Sequence, residues 1–132
     1  ARYGEGYLSL RAYIDEIAAL PREQCGTFFA FTQGVFDYAE VRKHADRFDK
    51  YFADAKAKAT EEQLERIEFE ELSWTYLKQC ALHETEYVNG TEAQRAEYVA
   101  NNQKLYETFI RFGQEPYDHT WNYDPTVNPH NW

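Results

Sequence analysis

Four histidines, two cysteines and 23 Asp and Glu side chains are the groups from which this chain could build a metal centre or an acid–base pair. A di-iron site in a helical bundle needs Glu-x-x-His on two helices, so that both ligands leave one face a turn apart. Three residues before His44 stands Val41, and three before His83 stands Cys80. Glu40 and His44 form an i,i+4 pair, which reads as a surface ion pair on a charged helix face. No His-Glu-x-x-His zinc motif occurs. Cys25 falls in a Gly-containing loop and Cys80 inside a helical pattern. Two isolated cysteines make neither a disulfide scaffold nor a zinc motif, so both are expected to be free and structural.

Paired carboxylates could do acid–base work, and acids are abundant. Glu61, Glu62, Glu65, Glu68, Glu70 and Glu71 follow one another closely. Most read as surface acids near a helix N-terminus, where the macrodipole favours them. If Glu68 or Glu71 is buried, pairing with Arg66 or Arg95 is expected before catalysis. His83 reads as a satisfied core histidine, and His119 and His130 as exposed or capping groups. No Gly-rich phosphate loop, nucleophile elbow or Cys-His nucleophile pattern is present. No catalytic, metal-binding or cofactor-binding residue is therefore assigned, and no cofactor is expected.

The unusual feature is aromatic: 3 Trp, 11 Tyr and 9 Phe make up 17% of the chain. Trp121, Tyr123 and Trp132, with Asn122, Asp124 and Asn128, have the composition of a sugar-binding surface. Flat rings stack on pyranose faces, while amides and carboxylates take the hydroxyls. These three rings are the candidate ligand-binding surface. The competing reading, which composition favours, is that they cover a hydrophobic groove left by the helices. Asn89-Gly90-Thr91 matches the glycosylation sequon, which matters only in a eukaryotic secretory setting.

The elements that must hold these groups are helical. At 132 residues and 15.7 kDa the chain suits one domain. Its 14 Lys and Arg against 23 acids give a net charge of −9. No basic excess is left to neutralise phosphates, which excludes nucleic acid as a partner. No apolar run reaches the ~18–20 residues of a membrane span, so no insertion is expected.

Tyr7, Leu10, Ile14 and Ile17 define one face of a first helix over about Gly6–Leu20, stopped by Pro21. Pro21 to Gly34 breaks the periodicity, yet its Phe28, Phe29 and Phe31 suit a packed or docking segment. Tyr38, Val41, Ala45, Phe48, Phe52, Ala55 and Ala59 form the strictest stripe, with Asp37 as N-cap and Glu40 in a capping-box-like position. Thr60 and Gln63 open a third helix. Its main stripe is Phe69, Leu72, Tyr76, Cys80, His83 and Tyr87, and its second contains Leu64, Ile67 and Trp74. A helix apolar on two faces reads as the central one. Asn89-Gly90 supplies a stop through the left-handed conformation, and Thr91 with Gln94 caps a fourth helix. The fourth stripe is Tyr98, Asn102, Leu105, Phe109 and Phe112, and Gly113 closes it.

The fold class expected is all-α: a four-helix up-down bundle over 1–112, with helix three central. An irregular aromatic-rich C-terminal segment, 113–132, packs on the bundle. The chain starts at Ala1, contains no Met and shows no signal peptide. It reads as an internal or C-terminal fragment, or as a processed mature chain.

Several phrases resemble a known family. Tyr3-Gly4 followed by Tyr7, Leu10, Tyr13, Ile14 and Asp15 is similar to the opening of the C-terminal helical region of large secreted bacterial glycan-degradation proteins. These are alpha-glucuronidase-like proteins that carry a domain of unknown function. Phe48 through Ala57 resembles that region's second helix. Arg66-Ile67-Glu68, Leu72-Ser73 and Tyr76-Leu77 resemble its third. The resemblance covers roughly residues 1–112, and the aromatic tail has no counterpart in it. It implies a periplasmic or extracellular protein acting on a polysaccharide or glycan, glycoside hydrolase-like as a whole. This piece would be its non-catalytic helical accessory domain, with a TIM-barrel-like domain of the same parent chain as partner. The alternative is a self-contained carbohydrate- or protein-binding interaction module.

Overall fold

The computed structural model describes residues 4–20 and 36–113. The chain is all-α, and the described residues form four α-helices and no strand. A 3₁₀ turn, Gly4–Gly6, leads into α1, Tyr7–Ala19. Then come α2, Tyr38–Ala57, and α3, Glu61–Leu82. A π-helical segment, His83–Val88, continues α3, and α4 runs over Glu92–Arg111. Two compact units divide the chain, with the boundary between Glu71 and Leu72, inside α3.

The first unit is built on the strict stripe of α2. Val41, Ala45, Phe48, Phe52 and Ala55 are all buried, and the two phenylalanines have no exposed surface. α1 packs on this stripe through Tyr13, whose ring meets Phe48 at 5.3 Å, edge-on, and Phe52 at 4.7 Å, tilted. Gly6 brings the entry to α1 against α2: a Cβ there would stand 2.9 Å from the Ala55 Cα and carbonyl oxygen, so only glycine fits. A polar cross-link closes the edge. Glu16 Oε1 accepts from Tyr51 Oη at 2.6 Å and pairs with Arg47 at 2.8 Å, while Arg47 Nε donates to Tyr51 Oη at 3.0 Å.

The inward face of α1 is only partly the one its apolar spacing suggests: Leu10 and Ile17 turn inward, Tyr7 and Ile14 do not. Gly6, Leu10 and Leu20 are buried, with Tyr13 and Ile17 half-buried between them. Tyr7 and Ile14 are 45% and 57% exposed. Two phases compete on this helix because both carry large apolar residues, and the Tyr13 ring decides between them by filling the space over Phe48 and Phe52.

At α2, Asp37 is the N-cap, accepting from Ala39 N at 3.0 Å. Glu40 instead takes the Lys43 ammonium at 2.8 Å, so the capping-box reading fails on its second half. Thr60 and Gln63 do make the reciprocal pair, at 3.3 and 3.0 Å, satisfying two orphan donors at the start of α3.

From Leu72 onward α3 is buried over most of its circumference: Leu72, Trp74, Leu77, Gln79, Cys80 and Ala81 are all below a tenth exposed. Its first half is not. There Ile67 is buried, but Phe69, placed by its spacing at the head of the main stripe, is 42% exposed. α4 opens with a complete capping box between Thr91 and Gln94 and closes on Gly113, whose φ of +70° is the left-handed conformation glycine adopts freely. Tyr98, Asn102 and Leu105 are its buried face.

The stop after α3 works differently from the expected left-handed turn. Asn89 has a φ of −107°. The helix widens instead, and Asn89 N–H donates to the Glu84 carbonyl five residues back at 2.9 Å. Gly90 is needed for space, because a Cβ there would run into the Glu86 carbonyl.

Candidate functional site

The most developed polar architecture lies in the second unit, where the end of α3 and its π-helical continuation face the N-terminal half of α4. Gln79 and Tyr98 lock these elements reciprocally. Gln79 Nε2 donates to the Tyr98 carbonyl at 3.3 Å, and Tyr98 Oη donates to the Gln79 carbonyl at 3.2 Å. Both residues are nearly inaccessible, at 3% and 2% exposure. In a low-dielectric setting such bonds are costly to lose, since each partner would be left unsatisfied.

An aromatic cluster flanks the lock. His83 stacks on Tyr87 at 5.5 Å with 20° between the planes, and meets Tyr98 at 5.9 Å. Tyr87 and Tyr98 are 5.6 Å apart. Arg95 clasps the cluster from α4, donating from Nε to the Tyr87 carbonyl at 3.0 Å with its guanidinium 5.7 Å from the Tyr87 ring. Burial pushes the Tyr98 hydroxyl well above its usual range, with repulsion from Cys80 adding to it. Tyr76 rises for the same reasons. The Cys80 thiol is pushed up to about 12 by burial, against an opposing hydrogen bond from Tyr76. Cys80 is free, as expected, and at that pKa it is a packing group rather than a nucleophile.

Beside the lock is an open groove of about 170 Å³, with Leu82 and Tyr98 as its apolar parts and Lys78, Gln79, Glu86, Gln94, Glu97 and Asn101 around them. Two of its amides are aimed by bonds made elsewhere. Gln79 spends Nε2 on the Tyr98 carbonyl, and Gln94 spends Oε1 on Thr91 N–H at 2.9 Å. The remaining amide atoms, an acceptor on Gln79 and a donor on Gln94, are the ones available to a ligand.

The residues singled out by sequence are scattered. Trp121, Tyr123 and Trp132 lie outside the described residues, as do Cys25, His119 and His130. His44 bonds through Nδ1 to the Glu40 backbone carbonyl at 2.8 Å and stacks on Phe48, so the expected Glu40–His44 ion pair is replaced by Glu40–Lys43. Glu71 is half-buried and paired with Lys56 of α2 at 2.8 Å rather than with the expected Arg66 or Arg95. Arg66 serves Glu62, and Arg95 serves Tyr87. His83 is half-buried among rings. Among the described residues, no three His, Cys, Asp or Glu side chains gather to hold a metal ion, and no helix is long and apolar enough to cross a membrane. No family model, curated protein or solved structure matches the chain.

The groove was not foreseen. Its members are ordinary polar residues on three separate stretches of sequence. The one available signal was Gln79, a polar residue standing among the buried positions of the third helix.

Proposed function

We propose that this chain is the non-catalytic helical accessory domain of a larger glycan-active, glycoside hydrolase-like protein, periplasmic or extracellular, whose barrel domain is its partner. One observation carries the reading: the phrases that resemble the family supply the packing. Tyr13 of the opening phrase seats on Phe48 and Phe52 of the second. Ile67, Leu72 and Leu77 of the third are buried. A second feature suits a docked domain. α1 turns Tyr7, Leu8 and Ile14 outward at 45%, 75% and 57% exposure, with the Arg11–Asp15 pair among them, a mixed surface that a neighbouring domain could cover.

The gene tests this. An open reading frame that continues upstream for several hundred residues, encoding a barrel with paired acids, is the expected result. In that full-length protein, deleting the segment equivalent to residues 4–113 is expected to lower stability or glycan affinity while sparing the catalytic acids. A short reading frame that begins near residue 1 would overturn the proposal and favour a self-contained binding module.

A further inference from the structure

We propose that the groove of the second unit holds a single amino-sugar residue with a free amine, an inference that rests on the glycan reading for the sugar and on the groove's own chemistry for the amine. Size sets the first limit. About 170 Å³ is comparable to the ~150 Å³ of a cavity that takes one benzene ring. It falls short of the ~300–1,000 Å³ of pockets that enclose larger ligands. One ring fits, and a chain of rings would extend along the open side.

The character of the lining sets the second. Glu86 comes from the π-helical segment and Glu97 from α4, and neither takes part in an ion pair among the described residues. With Lys78 the groove carries a net charge of one negative, and its acceptors outnumber its donors. Gln79, itself 3% exposed, presents its remaining acceptor from the wall, held there by the bond to Tyr98. Such a lining takes groups that donate: hydroxyls, and above all an ammonium.

The third limit excludes a neutral sugar. Neutral pyranoses gain much of their affinity by stacking on an exposed ring, and Tyr98, the ring in this groove, is 2% exposed. Affinity must then come from charge. A protonated amine between Glu86 and Glu97 supplies it, and the ring hydroxyls meet Gln79, Gln94 and Asn101.

The test is an NMR titration of the intact chain with glucosamine, glucose, N-acetylglucosamine and butylamine in parallel, at a pH that keeps the amines protonated. Glucosamine is expected to shift amides around Lys78–Leu82 and Gln94–Asn101 with a dissociation constant on the order of 1 mM. The other three are expected to bind at least several-fold more weakly. Glu97→Gln and Glu86→Gln should each weaken glucosamine about three- to fivefold, the range of a solvent-exposed ion pair. Glu107→Gln, further along α4, should change nothing. Circular dichroism confirms that the variants stay folded. Equal binding of glucose or N-acetylglucosamine would overturn the role of the amine, and equal binding of butylamine would overturn the sugar. Silence of all four would overturn the site while leaving the accessory-domain reading to the gene.

Discussion

The two units solve the same problem with different materials. Up to Glu71, α1 and α2 meet through rings and small residues: Tyr13 on Phe48 and Phe52, Gly6 on Ala55. Most polar groups there sit at the margin, in the Glu16–Tyr51–Arg47 cross-link and the Lys56–Glu71 pair, although Glu16 Oε2 is buried without a hydrogen-bond partner among the described residues. Exposed pairs of this kind contribute at most about 1 kcal/mol each. From Leu72 onward, polar groups enter the interior. Gln79 and Asn102 are buried, and the Gln79–Tyr98 lock spans two helices. Asn102 is inaccessible, and neither its Oδ1 nor its Nδ2 has a hydrogen-bond partner among the described residues. Apolar stripes give stability cheaply. Buried polar groups give directed donors and acceptors, at a cost in stability.

The largest effect expected from this contrast lies in the apolar unit. Phe52→Ala removes a ring with no exposed surface and should destabilise by about 3–5 kcal/mol in urea unfolding. A loss below about 1 kcal/mol would mean that the α1–α2 contact is not the core of that unit.

Alkaline pH should come next, and it should weigh on the second unit. Cys80, Tyr76 and Tyr98 there have pKa values raised mainly by burial, whereas in the first unit Tyr13 has a raised value. In each case the fold favours the protonated form. Its stabilisation is complete below the unfolded-state pKa and is lost as pH climbs towards the folded one. For Cys80 that window runs from 9.0 to about 12, worth up to about 4 kcal/mol at 1.36 kcal/mol per unit. Unfolding midpoints followed from neutral pH upward should fall steeply above pH 9.0, and Cys80→Ala should soften the fall. A flat profile would contradict the buried placement of these groups.

Two further substitutions sharpen the polar side. Tyr98→Phe deletes the donor to the Gln79 carbonyl and should cost about 1–2 kcal/mol. Asn102→Leu should do the reverse. It replaces an amide without hydrogen-bond partners by a side chain of similar size, and a gain of about 1 kcal/mol is expected in thermal unfolding. A loss there would show that the amide has a partner the account lacks. The smallest effect should come from Ile14→Ser on the outward side of α1, within about 0.5 kcal/mol. A core-sized loss would restore the face that spacing alone suggests.

That last position shows where sequence reasoning reaches its limit. The α2 stripe was legible because one phase holds Val41 and both phenylalanines and the other face is mostly charged. Thr60, Thr91 and Gly113 were legible because capping and left-handed turns demand particular residue types. On α1 two apolar phases coexist, and only the partner surface could choose between them. Phe69 failed for the opposite reason: its spacing was right, but in the folded chain it stays 42% exposed. His83, Tyr87 and Tyr98 were legible as stripe residues, but the widening of α3 over His83–Val88 leaves no mark in the hydrophobic pattern, so the way their rings meet could not be read in advance. The groove was less legible still, because its polar residues become a site only when Gln79 and Gln94 have been turned by bonds to Tyr98 and Thr91. The aromatic tail, the strongest sequence candidate for ligand binding, lies outside the described residues.

The contrast between the units is tested most directly by native-state hydrogen exchange read residue by residue. Amides of Val41–Ala55, under a fully apolar stripe, should exchange only through global unfolding. Those of the π-helical segment and the exposed first turns of α4 should exchange through smaller openings, at least tenfold faster. Uniform protection across both regions, or stronger protection over His83–Val88 than over α2, would contradict the account.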